Sequence, residues 1–211
     1  MSTLLYITAH PGNPEASYSL AAGEQFVQAY RESHPQDEVI HVDLYRRNIP
    51  YIDADVLEAW GKLQTGGTFN QLTVEQQQKV TQLNELLEEF MTADKYVFVT
   101  PMWNFSYPPV MKAYIDSFCV RAKTFKYTEN GPVGLLKNKK AFHIQASGGV
   151  YSAGPVADRE NGSRHLKTVL NFVGITDVDH LYIEGISSAG ERAPQIKAEA
   201  IGQARTAAQN F

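Results

Sequence analysis

Residues 96–105 read Tyr-Val-Phe-Val-Thr-Pro-Met-Trp-Asn-Phe, and this stretch joins a predicted β-strand to an unusual loop. Its apolar start, rich in valine and aromatic residues, is typical of a strand buried on both faces of a parallel sheet. The strand is expected to stop at Pro101, because proline has no backbone N–H to offer a neighbouring strand.

The loop after this strand places a thioether, an indole, an amide and a phenyl ring in succession, at Met102, Trp103, Asn104 and Phe105. In open α/β sheets, ligands bind beyond the carboxyl ends of the strands. The loop therefore suits a planar aromatic ligand with hydrogen-bonding edges. The alternative is a strand-end loop whose aromatic rings fold back into the core.

Strands and helices alternate along the rest of the chain. Besides the central strand, strands are predicted over 3–8, 38–45, 140–146 and 180–184, and helices over 17–33, 110–120, 164–173 and 189–211. This βαβ order predicts an α/β fold with a parallel sheet and right-handed crossovers. The expected arrangement is a doubly wound, five-stranded sheet of order 2-1-3-4-5 with helices on both faces.

Residues 46–92 lengthen the connection between the second and third strands. They predict a proline-containing loop, a helix over 53–63 that exposes Trp60, and a long helix from about Thr73, where Thr-Val-Glu-Gln forms a capping-box pattern. We interpret this segment as a helical insertion in a single domain that spans residues 1–211.

The composition excludes several classes of function. A formal net charge of −4 gives no basis for nucleic-acid binding, and the densest basic segment, 137–140, is interpreted as a solvated turn. The single cysteine, Cys119, excludes an intrachain disulfide and a multi-cysteine metal site, and it is expected in the core. The histidines show no ligand spacing, so no metal is expected. With neither a basic leader nor a membrane-length apolar segment, we expect a cytoplasmic protein.

The loop after the first strand resembles a phosphate-binding site. Ser17 and Ser19 supply hydroxyl groups, and the following helix supplies free N–H groups and the positive end of its dipole. The loop contains no lysine or arginine, which fits a phosphomonoester that stays bound. The alternative is a serine that only caps the helix. Neither a P-loop nor a GxGxxG fingerprint is present, and the acidic residues of a receiver domain are missing.

The fourth strand ends in Ser147-Gly148-Gly149, where glycine allows close backbone approach to a ligand. An ordinary turn is the alternative. The serine loop, the aromatic loop and this glycine edge, taken together, are better explained by one site for flavin mononucleotide, FMN, than by three unrelated loops.

The chain resembles the FMN-dependent NADH-azoreductases, a flavodoxin-like family that also reduces quinones. The resemblance covers essentially the whole chain and is carried by residues 9–11, 17–19, 101–105, 124–132 and 147–149. It implies that His10, Ser17, Tyr18 and Ser19 hold the phosphate, that residues from Pro101 to Phe105 contact the flavin ring, and that Ala146, Ser147, Gly148 and Gly149 line its pyrimidine edge. Some members have a hydroxyl residue at Ala146 and an arginine at Gly61, so a side-chain bond at Ala146 and the substrate preference stay open.

The predicted activity is electron transfer from NADH or NADPH through FMN to azo compounds and quinones, by a ping-pong course. The flavin performs the chemistry, so no catalytic side chain is required; water or Tyr127 is the candidate proton source. Substrate contacts are expected from Trp60, Phe105, Tyr127, Tyr151 and Phe172. The resemblance also implies a homodimer. Two alternatives are a flavodoxin-type electron carrier, which the near-balanced charge argues against, and an FMN-binding regulatory module.

Overall fold

The computed structural model describes all residues from Met1 to Phe211 and contains seven strands, six α-helices and four short 3-10 helices. The strands are β1 (Thr3–Thr8), β2 (Glu38–Asp43), β3 (Lys95–Pro101), β4 (Phe125–Thr128), β5 (Gly131–Gly134), β6 (Lys140–Ala146) and β7 (Asp177–Ile183). The helices are α1 (Tyr18–Ser33), α2 (Ala54–Gln64), α3 (Val74–Thr92), α4 (Pro109–Phe118), α5 (Gly162–Val173) and α6 (Ala193–Gln209). No helix is long and apolar enough to cross a membrane.

Five strands form one parallel sheet in the order β2-β1-β3-β6-β7. Because β4 and β5 pair only with each other, as an antiparallel hairpin, this order is the 2-1-3-4-5 order predicted from the sequence, which is confirmed. The register pairs Pro101 at the end of β3 with Ala146 at the end of β6. The two loops that follow these strands therefore start side by side at the carboxyl edge of the sheet.

The alternating direction of strand side chains divides the core into two layers. On one face Leu4 and Val97 pack among buried residues of α1 and α6, including Phe26 and Ala204. On the other face Leu5 belongs to the layer formed with α3, α4 and α5. Burying each large apolar side chain contributes roughly 1.5–3 kcal/mol to stability. Both layers therefore stabilise the sheet, whose carboxyl edge carries the predicted site.

The two helices of the segment before β3 are stabilised by their N-caps and are joined to each other by one lysine. Thr73 and Gln76 form the predicted capping box of α3. The Asp53 carboxylate caps α2, and the Lys79 ammonium donates to Asp53 at 2.7 Å and to Asp55 at 2.6 Å. These bonds join the start of α2 to α3.

Three side-chain environments differ from the prediction. Trp60 is half-buried rather than exposed, because it packs with Leu63 on a small apolar cluster between α2 and α3. Lys139 does not belong to a solvated turn, since its ammonium donates to the carbonyls of Met91 and Ala93 at the end of α3. Cys119 is only partly buried, at the end of α4, although it packs against the core.

Two elements near the carboxyl edge also differ from their predicted bounds. β7 begins at Asp177 instead of residue 180, because its polar first residues still pair with β6, starting at Lys140. α5 begins two residues early, at Gly162, because the Glu160 carboxylate accepts hydrogen bonds from the backbone N–H groups of Ser163 and Arg164. An acidic side chain at a helix start compensates the free N–H groups there.

Candidate functional site

The loop after β3 is a two-residue hairpin with an unfavourable backbone. Trp103 and Ser106 exchange both backbone hydrogen bonds, with N–O distances of 2.6 and 3.1 Å. Between them Asn104 and Phe105 have φ angles of 48° and 69°, which define a type I′ turn. Asparagine tolerates this left-handed region, whereas a phenylalanine there costs about 1–2 kcal/mol. Strain of this kind persists mainly at functional sites.

This turn leaves two donors free. Neither Asn104 nor Phe105 gives its backbone N–H to an acceptor within the chain. The turn is held from behind instead, because the Phe105 carbonyl accepts the N–H of Asn161 at 3.0 Å and Ala146 accepts the N–H of Met102 at 2.7 Å. The backbone of the turn is therefore fixed, and its two free N–H groups are available to donate hydrogen bonds to a ligand.

An open cleft of about 580 Å³ lies beside this turn. The loops after β3, β6 and β7 meet there, and the lining residues are Met102, Asn104, Phe105, Ser147, Gly148, Gly149, Tyr151, Ser187 and Ser188. The structure thus brings together six of the residues predicted to contact the flavin ring, with Tyr151 from the predicted substrate contacts. Part of the lining is aromatic, since the rings of Phe105 and Tyr151 meet edge to face with centroids 5.8 Å apart.

The glycine edge offers two further donors. The carbonyls of Gly148 and Gly149 accept the N–H groups of Ser187 and Gly185, but neither glycine donates its own N–H within the chain. A Cβ at Gly148 would lie 2.3 Å from the Ser187 hydroxyl oxygen, and one at Gly149 would lie 2.9 Å from the Tyr151 ring. An added methyl group at either glycine would therefore press on a neighbouring side chain, a constraint that the sequence did not reveal.

At the serine loop the structure confirms the helix cap. The Ser17 hydroxyl accepts the N–H of Leu20 at 3.2 Å and lies 3.2 Å from the hydroxyl of Ser19, and both side chains are buried. In this pair one hydroxyl donates its proton to the other, so the proton of the second hydroxyl stays available for a ligand. The N–H groups of Tyr18 and Ser19 begin α1 and have no acceptor within the helix. The cap therefore does not exhaust the donors of this loop.

A hydrogen bond from Gly12 determines which tautomer of neutral His10 is present. Its Nδ1 accepts the backbone N–H of Gly12 at 2.9 Å, which assigns the proton to Nε2. Partial burial lowers the pKa of His10, which also favours the neutral ring. His10 lines a polar groove between α1 and β2, outside the cleft at the Phe105 turn.

The remaining predicted residues lie outside the cleft. Trp103 faces Tyr45, with ring centroids 6.5 Å apart. Tyr127 lies on the β4–β5 hairpin, 62% exposed, with its ring edge against Phe125, and Phe172 packs on Phe125 from the core side. Trp60 stays in its cluster between α2 and α3. Within one chain these side chains do not meet the cleft.

Sequence reasoning missed the residues that follow β7. Ser187 and Ser188 line the cleft, and Glu184 contacts its loop from behind. The signal was present, because residues 184–188 follow a parallel strand at the same edge of the sheet as the other site loops. No group of three or more His, Cys, Asp or Glu side chains could hold a metal ion.

The geometry defines a class of protein: a doubly wound α/β domain with free backbone donors and aromatic walls at its switch point. A family model described as "Flavodoxin-like fold" matches residues 2–207. An FMN-dependent NADH:quinone oxidoreductase of Bacillus velezensis is 55% identical over 211 residues, covering 100% of both chains. The resemblance predicted from the sequence is confirmed, and the chain belongs to this flavodoxin-like family.

Solved structures agree with this assignment. An azoreductase from Bacillus anthracis strain Sterne superposes with a TM-score of 0.92 at 35% identity and covers 100% of both chains. An FMN-dependent NADH-azoreductase from Bacillus anthracis strain Ames Ancestor, in complex with FMN, has a TM-score of 0.89 at 34% identity, with 99% of this chain and 100% of that chain covered.

Proposed function

We propose that this protein is an FMN-dependent oxidoreductase that passes electrons from NADH to quinones and also cleaves azo compounds reductively. The observation that carries the proposal is the set of four unpaired backbone N–H groups, at Asn104, Phe105, Gly148 and Gly149, on the loops that border one cleft. The names of the relatives supply the matching chemistry, because they are FMN-dependent NADH:quinone oxidoreductases and azoreductases.

The residues at the start of α1 fit the phosphate of FMN. Ser17 and Ser19 have one hydroxyl proton to spare, the N–H groups of Tyr18 and Ser19 are free, and Nε2 of His10 carries a proton. All of these donors are neutral, and the helix dipole adds a favourable field for an anion.

Bound FMN supplies the electron transfer between the nicotinamide and the acceptor. The chain provides the electrostatic environment, since backbone N–H groups beside the cleft favour negative charge at the edge of a planar ring. The type I′ turn and the internal contacts of the two glycines keep these donors fixed, so they need not reorganise during reaction. Met102, Phe105 and Tyr151 shape the flat slot in which the rings stack. The proton for the acceptor comes from water or, since Tyr127 lies outside the cleft of its own chain, from the exposed Tyr127 phenol of a second copy.

The two substrates are expected to use this slot in turn. A flavin held with one face against the turn after β3 would leave a single open face for the nicotinamide and the acceptor. Each must come within about 3–3.5 Å of the reactive position, so the two cannot stack together. Initial rates at several fixed quinone concentrations should give parallel double-reciprocal lines. Intersecting lines would show that the substrates bind at separate places.

A homodimer would complete the site. Five of the exposed large apolar side chains are Tyr45 and Trp103, which contact each other, and Tyr51, Ile52 and Leu57 on the segment between β2 and α3. A second copy that covers them would also add aromatic residues to a cleft that Trp60, Tyr127 and Phe172 do not reach within one chain. Sedimentation of active protein at the mass of one chain would contradict this. A single unpaired cysteine suits the reducing cytoplasm, where we place the enzyme.

A further inference from the structure

The Tyr151 wall of the cleft belongs to a loop that has no regular secondary structure. Residues 147–152 follow β6, and their first carbonyls are bound by backbone N–H groups of Gly185 and Ser187. Those bonds hold the loop only as far as Gly149. Beyond it, a side chain is needed to determine where Tyr151 lies.

Glu184, the first residue after β7, supplies that side chain. One carboxylate oxygen accepts the N–H groups of both Tyr151 and Ser152, at 2.7 and 2.8 Å. The other oxygen accepts the Ser152 hydroxyl. No lysine, arginine or histidine forms an ion pair with this half-buried carboxylate, so the loop donors are its only hydrogen-bond partners within the chain. Hydrogen bonds to a charged group are stronger than neutral ones.

With its backbone held by Glu184, the Tyr151 ring has little freedom. It lies against the backbone of Gly149, where an added Cβ would approach within 2.9 Å, and its centroid is 5.8 Å from that of Phe105. A shift of the loop would therefore break the contact of this ring with Phe105 and change the shape of the aromatic surface that lines the cleft. Glu184 itself does not line the cleft.

We propose that Glu184 is a positioning residue that acts through Tyr151 to set the affinity for flat acceptors. This rests on the proposed function, in which the acceptor stacks in this cleft. Loss of the carboxylate releases three hydrogen bonds and lets the loop move, so acceptor binding weakens while the phosphate site at α1 is untouched. Glutamine keeps an oxygen that can accept both N–H groups, although without the charge.

The test is a set of variants of the FMN-loaded enzyme: Glu184→Ala, Glu184→Gln, Tyr151→Ala, and the double variant of Glu184→Ala with Tyr151→Ala. Glu191→Ala is the matched control, because Glu191 is exposed near the same edge and makes no hydrogen bond or ion pair. Steady-state kcat and KM for a quinone, the rate of flavin reduction by NADH, and FMN content are measured for each.

We expect Glu184→Ala to raise the quinone KM by about tenfold and Glu184→Gln by less. Flavin reduction should likewise need a higher NADH concentration, because the nicotinamide uses the same slot, while FMN content stays near that of Glu191→Ala. The double variant should be no worse than Tyr151→Ala, because residues that act through one another are not additive. An unchanged KM in both Glu184 variants, or additive effects, would overturn the proposal. If Glu184→Ala does not fold, the same cycle with Glu184→Gln decides. A wild-type flavin that NADH does not reduce would instead refute the proposed function.

Discussion

The rings of Phe105 and Tyr151 meet edge to face, with centroids 5.8 Å apart and planes at 80°. They come from different strand ends, and each is held by its own contact. The Phe105 carbonyl accepts the N–H of Asn161 at the start of α5, and the Tyr151 N–H is bound by Glu184 after β7. The cleft between the loops is thus built by four segments that are distant in sequence.

The first prediction concerns the strained turn. Phe105→Gly should raise the stability of the flavin-free protein by about 1 kcal/mol, since glycine adopts a φ of 69° without steric cost. In a chain of this size the melting temperature should rise by roughly 2–4 °C. The same change should weaken acceptor binding, because one aromatic wall is lost.

Asn104→Gly is the matched control for this turn, because asparagine already tolerates the left-handed region and should show a smaller gain. Thermal unfolding of the three proteins without FMN makes the comparison. A Phe105→Gly variant less stable than the wild type would show that ring packing, rather than backbone strain, dominates at this position.

The second prediction concerns the phosphate. Replacing Ser17 and Ser19 together by alanine should lower FMN affinity by more than tenfold, because hydrogen bonds to a charged group contribute roughly 1.5–3 kcal/mol each. Riboflavin, which lacks the phosphate, should bind the variant and the wild type about equally. Fluorescence titration with both ligands measures this.

The single variants separate capping from ligand binding. Ser17→Ala removes the N-cap of α1 and should cost about 1 kcal/mol of stability even without FMN. Ser19→Ala leaves the cap in place and should affect mainly FMN. Full FMN affinity in the double variant would place the phosphate elsewhere.

A third prediction follows from His143, which is buried between the hydroxyls of Thr100 and Ser163. Burial lowers its pKa to about 3. Between about pH 6.5 and pH 3, His143 is therefore protonated in the unfolded chain, where its pKa is near 6.5, but stays neutral in the folded chain. Stability should therefore fall as the pH drops below about 6.5, by up to about 1.4 kcal/mol per pH unit from this group.

His143→Gln removes the titrating ring. The variant should be less stable than the wild type at about pH 8, and the difference should shrink as the pH falls towards about 5. Denaturant unfolding of both proteins across that range tests it. Two curves that stay parallel would mean that His143 does not titrate differently in the folded and unfolded chains.

Most of the fold could be predicted from the sequence, because the positions of its strands and helices depend on local sequence signals. The apolar runs of 3–8 and 96–101, the capping box at Thr73 and the order of strands and helices were enough to predict the sheet and its topology. The bounds of β7 and α5 were missed, because tertiary contacts set them: pairing with β6 extends the strand, and the Glu160 side chain caps the helix.

The site was predictable only in part. The rule that ligands bind at strand ends pointed to residues 102–105 and 147–149, which the structure places around one cleft. It could not show that Trp103 faces Tyr45, that the Ser187 hydroxyl packs against Gly148, or that Glu184 binds the Tyr151 N–H. Each of these depends on a side-chain contact between segments far apart in the chain, and no local pattern encodes such a contact.

The central claim is that this chain holds FMN in a form that NADH reduces and a quinone reoxidises. The most direct measurement is the visible spectrum of the purified, FMN-loaded protein under anaerobic conditions. One equivalent of NADH should bleach the band of oxidised flavin, and one equivalent of quinone should then restore it. A protein that binds no FMN, or one whose flavin band does not change when NADH is added, would contradict the claim.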